Sequence, residues 1–240
     1  MFIRRITILC LVLWQLSHAG LAIGETTDDY LPLSDGNYWV YSVTATGGSF
    51  TVTIRVLPGF TTINNVQTKA LQSTGGPDDG VEYWTNDING IRMHGAYVPH
   101  TDIGPGRVYF EPPVVYARNT MTINETVKSS GIARFVFDNV GEFILKYAST
   151  STLEKFESVL VPAGRFNAVK VNDTLRIFGS IGTEPYDDTS TGSTWLAKYT
   201  GVIKDTYADA DGSDVSVLTG TNVKPPPPQF MPFLLPLLVD

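Results

Sequence analysis

The chain reads as an all-β protein, a single curved antiparallel meander or an open barrel with little or no helix beyond its N-terminal segment. Three observations predict this. Runs of four to eight residues alternate apolar and polar side chains, the period of a half-buried strand. Gly, Asn and Asp punctuate those runs at short, regular spacing. No window of ten or more residues shows apolar residues at the three-and-four spacing of a helix face.

The elements follow in order. Met1-Phe2-Ile3-Arg4-Arg5 is a basic start, Ile6 to Leu16 an apolar run of eleven residues, and small residues close it at Ser17-His18-Ala19 and Gly20-Leu21-Ala22. That is the order of a secretory signal peptide over residues 1–22, with cleavage expected after Ala22 and Ala19 as the second choice. The run is too short to span a bilayer as a helix, which takes about 20 residues. Cys10 is the only cysteine and lies inside this run, so the mature chain has none and forms no disulfide. The full chain carries 17 basic and 24 acidic residues; removing Arg4 and Arg5 leaves 15 against 24, a charge of −9. No cluster of Lys or Arg remains to neutralise phosphates, which argues against nucleic acid and anionic membrane surfaces as partners. An exported compartment, periplasmic or extracellular, fits.

An all-β domain is expected over 26–223. One short helical turn is allowed at Leu31–Asp35. Trp39, Tyr41 and Val43 then share one strand face, and Phe50 to Val56 alternates without a fault. Further runs lie near 66–73, 81–86, 90–98 and 119–127. Residues 99–117 hold four prolines, cannot supply a full ladder, and are expected to cross an edge or mouth of the sheet. Arg134 to Phe137 and Phe143, Leu145 and Tyr147 continue the pattern. The stretch ESVLVPAGRFNAVKV (157–171) splits two runs at Pro162-Ala163-Gly164. Pro162 suits the first corner of a type I turn and Gly164 a left-handed position after it, which predicts a three-residue hairpin loop with a bulge. Val169 and Val171 are expected inward and Lys170 outward. Residues 180–193 read as a polar loop, and runs near 193–199, 202–208 and 214–218 complete the domain.

Residues 224–240 stand apart. Lys224-Pro225-Pro226-Pro227-Pro228-Gln229 is a polyproline spacer of about 3.1 Å per residue. Phe230, Met231, Phe233, Leu234 and Leu235 form an apolar tail broken by prolines, too short to span a membrane. It either packs on its own domain or docks on a partner.

Four motifs in order resemble a loose group of uncharacterised bacterial exported proteins. Tyr30-Leu31-Pro32-Leu33-Ser34-Asp35-Gly36-Asn37-Tyr38-Trp39-Val40-Tyr41 is similar to their "PL..GN.W.Y" opening. Asn89 to Gly95, the Val161-Pro162-Ala163-Gly164 hairpin and Trp195 to Lys204 are similar to later motifs of the group. In outline the group is similar to the envelope lipoprotein carriers LolA and LolB. The resemblance implies an envelope compartment and a curved sheet with an apolar concave face, and supplies no catalytic residues. Those carriers cover the cavity with helices; this chain has no amphipathic helix for a lid.

No catalytic, cofactor or metal constellation is legible. His94 and His100 have no third ligand partner in the pattern. Asp209-Ala210-Asp211-Gly212-Ser213-Asp214 lacks the late Glu of a calcium loop and reads as an acidic turn. Asn124-Glu125-Thr126 and Asn172-Asp173-Thr174 match glycosylation acceptors, meaningful only in a eukaryotic secretory route. Trp39, Tyr41, Trp84 and Trp195 are candidate ligand-groove aromatics, and Pro162 and Gly164 define the hairpin. The expected function is therefore non-catalytic: an exported module that binds an apolar small molecule or an envelope protein on its concave face. A structural protein docking through its tail comes second, and a carboxylate-based hydrolase third.

Overall fold

A computed structural model describes residues 29–77, 79–99 and 104–224. The expected signal segment 1–22, His100 and the tail residues Phe230, Met231, Phe233, Leu234 and Leu235 lie outside the described residues. Thirteen strands run in sequence: β1 (Tyr38–Ala45), β2 (Gly48–Val56), β3 (Thr61–Ile63), β4 (Val66–Thr74), β5 (Gly80–Asp87), β6 (Gly90–Val98), β7 (Gly106–Ala117), β8 (Thr126–Phe137), β9 (Gly141–Val161), β10 (Gly164–Ile181), β11 (Glu184–Ala197), β12 (Gly201–Ala208) and β13 (Ser213–Thr221). From β4 onward each strand pairs with the next in sequence; β13 pairs with β1, and β1 with β2. Pairing of β2 with β4 closes the sheet into an antiparallel barrel, leaving β3 as an appendage on β4. No α-helix occurs among the described residues.

Alternation decides which face is inward. On β2, Val52, Ile54 and Val56 are buried while Thr51 and Arg55 are exposed. On β9, Leu145, Tyr147, Ser149, Ser151 and Leu153 are buried while Lys146 and Thr150 are exposed. Outward positions on β10 and β11 include the exposed Arg176, Asp187, Thr189 and Thr191.

Four expectations are corrected. Leu31–Asp35 is not helical: it is a bend and irregular chain leading into a turn, and the carbonyls of Leu31 and Pro32 accept from Asn86 Nδ2 (3.0 Å) and Asn37 Nδ2 (2.9 Å), which holds it across the barrel end. Residues 106–117 form a full strand despite Pro112 and Pro113. The β6–β7 register jumps from Met93↔Val114 to Gly95↔Tyr109, so both prolines sit where no ladder donor is required. Gly95 is required there, because a Cβ would lie 2.2 Å from the Val108 carbonyl oxygen. Residues 119–125 form the loop before β8 instead of a strand; Asn124 adopts a φ of 68° that no strand allows. Residues 180–193 are not a loop: they belong to the β10–β11 hairpin, with Ile181 opposite Glu184 and Arg176 gripping Asp187 through two hydrogen bonds of 2.7 and 2.5 Å.

The β9–β10 hairpin also differs in detail. Val161 pairs with Gly164, so its loop is two residues, not three. The bulge lies deeper, where Lys170↔Lys155 gives way to Val171↔Leu153 and Glu154 is the extra residue. Beyond it the buried face changes sides. Val161 and Ala168 are buried, while Phe156 and Leu160 are exposed. This arm folds over the outer wall: Ala163 N–H donates to the Leu218 carbonyl (3.0 Å), and Trp195 Nε1 donates to Glu157 Oε1 (2.7 Å).

Candidate functional site

Three of the four sequence-selected aromatics turn inward near the barrel end where β1 begins. Trp39 and Trp84 are wholly buried and Tyr41 nearly so. Each polar handle is satisfied: Trp39 Nε1 donates to the Thr200 carbonyl (2.5 Å), Tyr41 Oη to the Val202 carbonyl (2.9 Å) and Trp84 Nε1 to Glu82 Oε2 (2.9 Å). Trp84 and Tyr116 pack with ring centroids 4.9 Å apart. Tyr30 and Leu31 cover this end, tied down by the Tyr199 N–H bond to the Asp29 carbonyl (2.5 Å). Trp195 is elsewhere. It lies on the outer wall under the arm, with Lys204 and Lys170 over its ring at 4.5 and 5.4 Å. The four aromatics therefore do not share one surface.

The inward face of β9 to β13 is chemically different. Asp173 pairs with Ser151 on one side and Gly192 on the other; Asp205 pairs with Thr194 and Ser216; Asp214 pairs with Tyr207. These positions alternate with outward ones, so the carboxylates and hydroxyls line one band of the interior. Asp205 Oδ1 accepts from Thr194 Oγ1 at 3.2 Å, but its Oδ2 has no hydrogen-bond partner. Neither have Ser149 Oγ, Ser151 Oγ, Ser216 Oγ or Asp214 Oδ1. Ser151 is 0% exposed, Asp205 2% and Ser216 3%, so these groups are packed closely against neighbouring atoms. Burial holds the Asp205 carboxyl well above the usual range, and the nearby Asp214 and Asp173 push it further. Burial likewise raises Asp214 to about 6, with Asp209 adding to it.

A further carboxylate, Glu82, faces the interior from β5. Its Oε1 has no partner, and burial raises its pKa strongly against the opposing bond from Trp84. His94 is separate from all of these. It occupies the β6 bulge, bonds Thr85 Oγ1 at 3.0 Å through Nε2, and is held at about 4 by burial and Arg92. Among the described residues no three His, Cys, Asp or Glu side chains are grouped to hold a metal ion. Outside the cap lies an open cleft of about 600 Å³, lined by Leu31 to Asp35, Lys69 and Asn86. Its charges, Lys69 and Asp35, are spent on each other at 2.5 Å.

The inward acids escaped the reading of the sequence. Asp173 was legible only as part of Asn172-Asp173-Thr174, and Asp214 only as part of an acidic turn. The available signal was parity: Val171, Asp173 and Leu175 occupy alternate positions, and a carboxylate between two inward aliphatics must itself face inward.

No protein-family model matches the chain, and no curated protein matches it. Three solved structures resemble its outline. A candidate lipoprotein from Parabacteroides distasonis ATCC 8503 aligns at 15% identity and a TM-score of 0.49, over 82% of this chain and 99% of that one. A candidate exported protein with a YmcC-like fold from Bacteroides fragilis NCTC 9343 aligns at 11% identity and 0.42, over 80% and 98%. The hypothetical lipoprotein YmcC from Escherichia coli aligns at 10% identity and 0.40, over 79% and 85%.

Proposed function

We propose that this chain is an exported, non-catalytic binding protein that holds a small molecule inside its barrel. Residues 1–22 direct export, residues 26–223 form the binding domain, and residues 224–240 are a spacer and tail. One observation carries the reading: Asp205, Ser149, Ser151 and Ser216 bury polar atoms without partners on one inward wall. An unmade hydrogen bond at a buried group costs about 1–3 kcal/mol. Several such groups on one wall are explained if a bound molecule completes them. Binding is favoured over catalysis because, among the described residues, no imidazole or thiol lies beside these hydroxyls. His94 is on β6 and already bonded to Thr85.

Native mass spectrometry of the exported protein tests this. A small-molecule adduct that is lost on denaturation is the expected result. A bare mass, together with no thermal stabilisation by a panel of amines, sugars and fatty acids, overturns it.

A further inference from the structure

We propose that the open cleft outside the capped end of the barrel is the seat of the chain's own apolar tail, with Phe230, Met231, Phe233, Leu234 and Leu235 lying against Leu33, Phe60 and Ile88. This goes beyond the binding reading above and does not depend on it. Of the two fates open to the tail, it selects packing on its own domain over docking on a partner.

The first argument is the surface. The cleft of about 600 Å³ is lined by Leu31 to Asp35, Lys69 and Asn86. Large apolar side chains stand exposed beside it. Phe60 is 64% exposed and is held against Lys69, whose Nζ lies 4.0 Å from the ring centre. Ile88 is 79% exposed in the β5–β6 turn, two residues after Asn86. The charges close by are engaged with one another, Lys69 with Asp35 (2.5 Å) and Arg92 with Asp87 (2.5 Å). What this end offers an occupant is therefore apolar surface around a hollow, which favours an apolar segment over a charged one.

The second argument is where the chain leaves and how far it reaches. Lys224 is the last described residue. Val223 and Lys224 line a smaller hollow of about 200 Å³ together with Pro32 and Ser34, and those two residues also line the cleft. The exit thus opens onto a track that leads to Lys69 and Asn86. Across this end the strands run β13, β1, β2, β4, β5. With neighbours about 4.8 Å apart, β4 and β5 lie about 14 and about 19 Å from β13. Pro225 to Gln229, at about 3.1 Å per residue, spans about 16 Å. Phe230 therefore arrives between the strand that carries Lys69 and the strand that leads into Ile88. A segment broken by Pro232 and Pro236 is a poor addition to a sheet edge, but its prolines and the apolar side chains between them suit a groove with aromatic and aliphatic rims. Residues 23–28, which precede Asp29 at the same end, are mostly polar and offer no such match.

Cysteines placed in the full exported chain test this. Phe60→Cys combined with Phe233→Cys is expected to close a disulfide within one chain on mild oxidation. Val140→Cys combined with Phe233→Cys is expected not to, because Val140 lies in the β8–β9 turn at the opposite end of the barrel. A second measurement follows the alkylation of Ile88→Cys alone by N-ethylmaleimide. Adding Leu234→Asp and Leu235→Asp is expected to speed it at least about tenfold, as a covered site becomes open, and to leave the alkylation of Val140→Cys unchanged. These substitutions fall on exposed turns or beyond the barrel, so the fold is kept. If the Phe60–Phe233 disulfide forms only between chains, the seat in the same chain is overturned in favour of a second copy. If Ile88→Cys alkylates at the same rate with and without the tail substitutions, the tail does not cover this end and the proposal falls. Neither result bears on the small-molecule adduct, which the native mass decides separately.

Discussion

At the end of the barrel where β1 begins, the interior is filled by Trp39, Trp84, Tyr116 and Met93 under a lid made by Tyr30 and Leu31. The indole and phenol groups here are paired, down to the contact of Tyr116 Oη with Met93 Sδ at 3.6 Å, while Glu82 Oε1 is left without a partner. On other strands, β9 to β13, the inward face sets Ser149, Ser151, Asp173, Asp205 and Ser216 among aliphatics such as Leu153, Val171 and Leu175; the polar ones stand out. They are small or charged, and several of their atoms pair with nothing. A wide barrel needs bulky residues to fill it or something else to occupy the space. The aromatic end takes the first course. The acidic wall is built of residues that fill little and leave hydrogen bonds unmade. Stability is expected to be concentrated in the first region, and the proposed binding function is assigned to the second.

The largest effect that would sharpen this contrast is Trp84→Ala. It removes a buried indole and the donor that satisfies Glu82, and it is expected to cost about 3–5 kcal/mol in denaturant unfolding. A loss near 1 kcal/mol would mean that the aromatic end is not the stabilising half.

The acidic wall should behave oppositely. Asp214 is raised from 3.8 to about 6, so the folded state holds its proton over a range in which the unfolded chain has lost it. Its contribution to stability is complete below about 3.8 and falls as pH rises through about 6. Asp214→Asn should remove that slope. The variant is expected to gain on the wild type, by about 1 kcal/mol or more, between pH 4 and pH 7 in ligand-free protein. Paired acids with lowered values, such as Glu154 and Glu157, slope the other way, so the difference between the two proteins is the quantity to follow. An unchanged difference across that range would break the contrast from this side.

The smallest effect belongs to the outer wall. Arg176 and Asp187 make a two-pronged pair of half-exposed side chains. Asp187→Ala is expected to move the melting temperature by less than about a degree, because exposed ion pairs are screened and hold two side chains in place. A larger fall would show that the long β10–β11 hairpin depends on it.

The sequence by itself determined much of this protein. Period-two alternation in Phe50 to Val56 and Glu142 to Tyr147 specified half-buried strands, since a strand sends successive side chains to opposite faces. Gly and Asn at the turns set the meander. Tertiary structure decided the rest. Pro112 and Pro113 argued locally against a strand, yet the register jump of β6 against β7 removed the need for their ladder bonds. The polarity of residues 180–193 suggested a loop, and only pairing across Ile181 and Glu184 made it a hairpin. Trp195 looked like Trp39 and Trp84 until the bulge at Glu154 turned the arm over the outer wall. The acidic wall was the least legible feature. Asp173, Asp205 and Asp214 are separated along the chain by 32 and 9 residues, and nothing local relates them. Alternation could say that each faces inward; only the closing of β2 onto β4 made that inward face the inside of a barrel.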